Sequence, residues 1–240
     1  VLNCMEQLVQ KQFTIRAFKA EDNHDLCDKF IEGHKRVLLS VGVEEVSSSS
    51  NSWKFESNVY VIICESNDGE TVYGGVRVHV YNDQHILPMV EATEEFDPTV
   101  ADHIKNFSPL GTGEMCGLWN SIEVAGMGIG AVYLIRSAIA ILTELNLKTL
   151  WALCSPFSAR IAKNYSFLKY PHVGNDGTFY YPKIDLLATV CMVDDSEKLK
   201  NGNPEEVKRI FDLRRNPNTE KEEKNRGRDL KINYQLGINL

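Results

Sequence analysis

The residues with the clearest chemical content form one short stretch, Asn120-Ser121-Ile122-Glu123-Val124-Ala125-Gly126-Met127-Gly128-Ile129-Gly130-Ala131. A strand-like run over residues 113–120 leads into it, and an apolar helical run over 131–145 leads out. Glycines let the backbone turn sharply and approach a ligand with no Cβ in the way. The first amides of the following helix lack intrahelical partners and carry the positive end of its dipole. Together these features hold an anion, most often phosphate. A plain tight turn between strand and helix would account for the glycines equally well. A P-loop needs Gly-Lys-Ser/Thr, which follows neither Gly130 nor Gly111-Thr112-Gly113. A dinucleotide fingerprint needs G-x-G-x-x-G near a first strand, whereas the spacing here is G-x-G-x-G in mid-chain.

Other polar groups fall on neighbouring strand-like runs. Arg77 and His79 alternate along residues 71–81, so they share a face. The same alternation puts Glu114, Cys116, Leu118 and Asn120 on one face of the next run. An ion pair between Glu114 and Arg77 is one use of these groups. A lone buried histidine is more often structural than chemical. No G-x-S-x-G turn marks a hydrolase nucleophile. The six cysteines, Cys4, Cys27, Cys64, Cys116, Cys154 and Cys191, show neither C-x-x-C nor zinc spacing. Several lie in apolar runs as small hydrophobes, which reads as a reducing, cytoplasmic setting without disulfides or metal.

The elements that must position these groups can be read in outline. Residues 13–18 read as a strand, followed by a helix capped at Asp22 or Asn23 and ending near Gly42. A serine-rich loop covers 46–52, and residues 59–64 and 71–81 read as a hairpin. A short helix over 100–107, strands over 150–154 and 184–192, and a helix over 158–169 complete the body. The order is that of a mixed α/β domain with helices set between strands. The chain has 240 residues, 43% hydrophobic and 25% charged, as in ordinary soluble proteins. Its longest near-apolar stretch, 131–142, is too short to span a bilayer, and no signal peptide is visible. A net charge of −7 argues against a nucleic-acid binder. Residues 196–240 carry +3 and residues 1–195 carry −10, so an acidic domain bears a basic C-terminal extension. Within it, 204–214 reads as a helix, 216–229 as a charged mobile segment and 231–236 as an edge strand.

Two segments resemble motifs of the GCN5-related N-acetyltransferase (GNAT) superfamily. Ala125, Gly128 and Gly130 occupy the three positions of its motif (Gln/Arg)-x-x-Gly-x-(Gly/Ala), and Ala125 stands where Gln or Arg is usual. Ser158, Ile161, Tyr165, Lys169 and Tyr170 fall on the positions of its second motif, Asn-x-x-Ala-(three residues)-Tyr-x-x-x-Gly-Phe. The resemblance runs over about residues 13–192. It implies a mainly antiparallel central sheet flanked by helices, and a coenzyme A thioester held by Ser121, residues 125–131 and Ser158. It also implies that Tyr165 protonates the leaving thiolate. The series His34-Lys35-Arg36-Val37-Leu38, Trp53, Gly74-Gly75-Val76-Arg77, Leu87-Pro88 and Gly113-Glu114 resembles the N-acyl amino acid and autoinducer synthases of that superfamily. No acid pair follows Trp53, and Glu114 precedes Met115-Cys116-Gly117 instead of Glu-x-x-Arg. These departures favour a simple N-acyl amino acid over a homoserine lactone.

What this implies is transfer of an acyl group from acyl-CoA, or from the phosphopantetheine of an acyl carrier protein, to a small amine or amino acid. A free amine must attack the thioester carbonyl. Glu114 is the expected base, with backbone donors near Asn120 for the oxyanion and His79 in reserve. Arg77 could fork onto an acceptor carboxylate, with Trp53 beside it in the substrate site. Acetyl transfer from acetyl-CoA, and a silent domain that binds a thioester, are the alternatives. Arg209, Arg214, Arg215, Arg226, Arg228 and Lys231 are either a solvated face or a dock for a carrier protein or donor phosphates.

Overall fold

The computed structural model describes residues 11–43 and 51–238. The serine-rich loop lies outside them except for its last two positions, and so does Cys4. Ten strands follow along the chain: β1 (Lys11–Lys19), β2 (Val59–Ser66), β3 (Val72–Val80), β4 (Thr112–Asn120), β5 (Thr149–Cys154), β6 (Leu168–Lys169), β7 (Thr178–Tyr180), β8 (Leu187–Val193), β9 (Asn218–Asn225) and β10 (Arg228–Gln235). They form one sheet in the order β6-β8-β5-β4-β3-β2-β1-β10-β9, with β7 also on β8. Among the described residues only β4 with β5 and β1 with β10 run parallel. The sheet is therefore mixed and mainly antiparallel, flanked by helices, as the resemblance implied.

One face carries α1 (His24–Ser40), α2 (Pro88–Thr93) and α3 (Thr99–Lys105). Asn23 caps α1 by accepting the Leu26 N–H at 3.1 Å. Phe30 and Cys27 of α1 pack with Trp53, Val61 and Trp119. Gly33 is required there, because a Cβ would lie 2.0 Å from the Trp119 ring. The other face carries α4 (Ile135–Ala140), α5 (Pro156–Ala162) and α6 (Pro204–Arg215), which share the main core with Ile62, Val76 and Tyr234.

Two helical expectations change in detail. The apolar run 131–145 opens as a π turn, Ile129–Leu134, closed by the Tyr133 N–H on the Gly128 carbonyl. It is regular α only over Ile135–Ala140 and ends at Asn146, whose left-handed φ of 54° lets the Leu147 N–H reach back to the Leu142 carbonyl. The helix read at 158–169 starts earlier, at Pro156, with Ser155 as cap, and Ser166 at φ 70° ends it. Helix α2 and strands β6 and β7 had no periodic signal, being two to six residues long.

The C-terminal extension is the larger correction. Most of residues 216–229, expected to be without regular structure, form β9, whose residues alternate between exposed and half-buried. Their charges have partners, Glu220 with Lys231 at 2.9 Å and Lys221 with Asp212 at 2.6 Å. Strand β10 is not an edge, since β1 and β9 flank it, and the charged β9 takes that place. The arginines do not form one patch. Arg214 donates to the carbonyls of Ser196 and Ile139, at 2.8 and 3.0 Å, and Arg209 faces Glu206. Beneath the hairpin, the fully buried Arg136 pairs with Glu206 at 2.9 Å and Glu223 at 2.7 Å.

Candidate active site

Strands β4 and β5 pair through only three positions, Thr112 with Thr149, Gly113 with Leu150 and Glu114 with Trp151. Beyond Glu114 they diverge, so one edge of β4 is left without a strand partner. A cavity of about 510 Å³ fills the opening. Its floor is β4 from Glu114 to Leu118 and β5 from Ala152 to Cys154. His34 and Leu38 of α1 close one side, and Ser158 and Ala162 of α5 another. The segment from Tyr181 to Ala188 covers it, and Lys183 Nζ reaches across to the Gly42 carbonyl at 2.5 Å. The wall is mostly apolar, with few polar groups, as in sites for small organic ligands.

Glu114 sits where the strands part and is 2% exposed. Its Oε2 accepts the main-chain N–H of Met89 at 2.8 Å. Burial pushes its carboxyl up to about 8, against the opposing effects of the Met89 bond and the Arg77 charge. Its cross-strand neighbour is His79, not Arg77, which stands opposite Cys116. Burial holds the His79 imidazole well below its ordinary value, and its Nε2 has no hydrogen-bond partner among the described residues. His34, on the cavity wall, is pushed down to about 4, by burial first and the Arg77 charge second. Burial pushes the Cys116 thiol up to about 12, so it is no thiolate at neutral pH.

Arg77 is fully buried behind the cavity. Its guanidinium lies 4.2 Å from the Trp53 ring centroid and donates to Cys116 Sγ at 3.6 Å. Gly117, at φ 60°, leaves it room, since a Cβ there would come within 3.1 Å of Arg77 Nε. The ladder register slips between Gly75 and Arg77, opposite that glycine. This bulge breaks the expected alternation. Glu114 stays on the α1 face, while Leu118 packs on the α4 side and Asn120 turns its Oδ1 to Gly130.

The glycine turn stands at the far end of β4. Gly126 and Gly128 have φ of 75° and 86°, open to glycine and costly for other residues. The Ser121 N–H is taken by the Tyr73 carbonyl at 2.7 Å, and Met127 is buried in the core. Ser158 lies on the cavity wall beside Ser155, whose Oγ donates to it at 3.1 Å. Tyr165 does not line the cavity. Its hydroxyl donates to the carbonyls of Ala131 at 3.2 Å and Val132 at 3.3 Å, and burial pushes it up. Asn120, Trp53, Arg77 and His79 are likewise not on the cavity wall. His34 is what sequence reasoning passed over; its place four residues after Phe30, on the buried side of α1, was the available signal.

No protein-family model matches the sequence, and no curated protein matches it. Solved structures do. An N-acyl amino acid synthase, FeeM, from uncultured soil microbes is similar over 80% of this chain and 96% of its own, with 12% identity and a TM-score of 0.58. The chain has the GNAT fold. A CoA-dependent acyl-homoserine lactone synthase, BjaI, is similar over 83% of this chain and 88% of its own, with 11% identity and a TM-score of 0.52. An acyl-CoA N-acyltransferase from Pseudomonas aeruginosa is similar over 75% and 98%, with 9% identity and a TM-score of 0.51. Among the described residues no helix is long and apolar enough to cross a membrane, and no three His, Cys, Asp or Glu side chains gather as metal ligands.

Proposed function

We propose that the protein is an N-acyltransferase that moves an acyl group from a phosphopantetheine thioester to the amine of an amino acid or related small molecule. The observation that carries this reading is the opening between β4 and β5, with a buried carboxyl at its apex and an apolar cavity inside it. The GNAT fold supports it, because the solved structures of that fold include acyl-CoA and N-acyl amino acid enzymes. Coenzyme A and an acyl carrier protein end in the same pantetheine arm, and the site is suited to that shared part.

In this reading the arm enters along Ser158, with the donor phosphates at residues 121–131. The thioester lies beside the unpaired edge of β4, whose free N–H groups receive the developing oxyanion. The acceptor enters from the α1 side, near His34 and Glu114. Glu114 takes a proton from the ammonium, directly or through water, and its raised pKa brings it close to that of an amine. The nitrogen attacks the carbonyl, the C–S bond breaks, the thiolate takes a proton from Tyr165, and the second proton lost by the new amide nitrogen returns to Tyr165 through water. Tyr165 must first turn from the carbonyls of Ala131 and Val132. Arg77, with Trp53 and His79 around it, supplies positive charge behind the acceptor. Holding amine and thioester together contributes much of the acceleration.

Expression of the chain and of Glu114→Gln in a bacterium, followed by mass spectrometry of lipid extracts, tests this. A new N-acyl amino acid present with the first and lost with the second is expected. If there is no new species and no binding of coenzyme A to the purified protein, the proposal fails.

A further inference from the structure

The tip of the β9–β10 hairpin rests on the glycine turn. Asn225 Nδ2 donates to the Gly126 carbonyl at 3.4 Å, and Arg228 Nη1 donates to the Ala125 carbonyl at 3.2 Å. Gly128 lets the tip approach, since a Cβ there would lie 2.7 Å from Asn225 Nδ2; a Cβ on Gly126 would meet Arg228 Nη1 at an ordinary contact distance of 3.7 Å. We propose that Asn225 and Arg228 are positioning residues for the donor loop, by which the C-terminal hairpin sets the affinity for the phosphates of coenzyme A. This rests on the donor reading of residues 121–131 given above.

The argument is one of peptide geometry. In a trans peptide the C=O and the N–H point in opposite directions. Turning the Ala125 carbonyl onto Arg228 therefore turns the Gly126 N–H away from the hairpin, toward the side left for the donor. Turning the Gly126 carbonyl onto Asn225 fixes the next plane, whose N–H is held by the Val124 carbonyl at 3.1 Å. The Gly128 carbonyl accepts from Val132 and Tyr133, at 2.9 and 3.1 Å, which fixes the Ile129 N–H in turn. Three of the four planes that flank Gly126 and Gly128 are thus held by a hydrogen bond on the carbonyl side. Arg228 also brings a positive charge close to Gly126. Lys224 and Asp229 neutralise one another at 3.5 Å, so Arg226 and Arg228 define the charge at the tip. The hairpin is anchored independently of the loop, by β10 on β1 and by Glu223 on Arg136.

The test is the dissociation constant for coenzyme A, compared with that for pantetheine, which lacks the nucleotide phosphates. In the double variant Asn225→Ala/Arg228→Ala, coenzyme A affinity falls about tenfold while pantetheine affinity stays within about twofold. Arg228→Gln, which keeps a donor and loses the charge, recovers part of the loss. Amide exchange quickens at residues 126–131 and not in β9 or β10, which separates loop positioning from fraying of the hairpin. Coenzyme A affinity within twofold of wild type, or equal losses for both probes, overturns the proposal while leaving the donor reading standing. A wild-type protein that binds coenzyme A no tighter than pantetheine overturns both.

Discussion

The Met89 main-chain N–H and the Glu114 carboxylate meet at 2.8 Å, 25 residues apart in sequence. Met89 is in the first turn of α2, where an N–H has no acceptor within its own helix. Glu114 supplies that acceptor and is itself held in place. The other carboxyl oxygen is left to exchange a proton.

Because burial raises the Glu114 pKa to about 8, most of the carboxyl is protonated at pH 7 and its basic form grows above that. Turnover at low substrate therefore rises with pH and levels off beyond about 8. Glu114→Gln keeps a carbonyl oxygen for Met89 and lowers kcat/KM by roughly 10²-fold. Its pH–rate profile is flat through the same range. Retention of the wild-type profile in this variant would show that another group is the base.

Stability has the opposite dependence at this residue. A carboxyl with a raised folded-state pKa binds its proton more tightly in the native state, so stability falls as pH rises from about 4.5 through about 8. His34, lowered to about 4, must stay neutral in the fold, so stability also falls as pH drops from about 6.5 through 4. The two windows overlap, so chemical denaturation is expected to show a broad maximum over about pH 4.5–6.5, where the opposing slopes cancel. Glu114→Gln removes the alkaline limb and is more stable than wild type at pH 8 by on the order of a few kcal/mol.

Tyr165→Phe removes the hydroxyl that donates to Ala131 and Val132. The expected result is a kcat lower by roughly 10- to 100-fold with an unchanged dissociation constant for coenzyme A. Steady-state rates beside calorimetric binding check it. An unaltered kcat would leave Tyr165 with a packing role only.

Removing Arg136 leaves Glu206 and Glu223 without the buried cation between them. Arg136→Met is expected to cost about 3–5 kcal/mol, read as a lower denaturation midpoint. Adding Glu206→Gln and Glu223→Gln restores much of it, since the charges then disappear together.

Gly33→Ala tests how closely α1 sits on the sheet. The added Cβ would lie 2.0 Å from Trp119 Cη2, so the indole or the helix must move. Overpacking of this kind costs about 1–3 kcal/mol, more than the gain in helix propensity returns. A lowered Tm with a shift in tryptophan fluorescence is the expected outcome.

The fold was readable where the pattern was local. The β-branched run of β2, the Arg77–His79 alternation of β3, and the caps Asn23 and Asn203 all carry their signal within a few residues. The cavity-facing side of β4 was readable only as far as Gly117, because a bulge is set by pairing with β3, and period-two counting carries no information on it. The charged hairpin was misread for a related reason. Residues 218–225 lack apolar alternation, and what orders them is Arg136, far away in sequence, and pairing with β10, which is itself held on the distant β1. The strand position of Glu114, which borders the cavity, was legible from alternation. Phe30 and His34, four residues apart, mark the buried side of α1, but that spacing does not betray the cavity beside it.

The parallel ladder between β1 and β10 joins Lys11 to Leu230 and Arg16 to Gln235. Among the described residues β1 therefore waits for a strand more than two hundred positions later, and its outer edge stays open until that strand is made. Contacts so distant in sequence close late and slowly. During that interval the bare edge of β1 is a template for foreign strands. A chain stopped before β10 would keep the α1 side of the active site while losing the neighbour that shields the edge of β1, and aggregation is the expected fate of such a fragment.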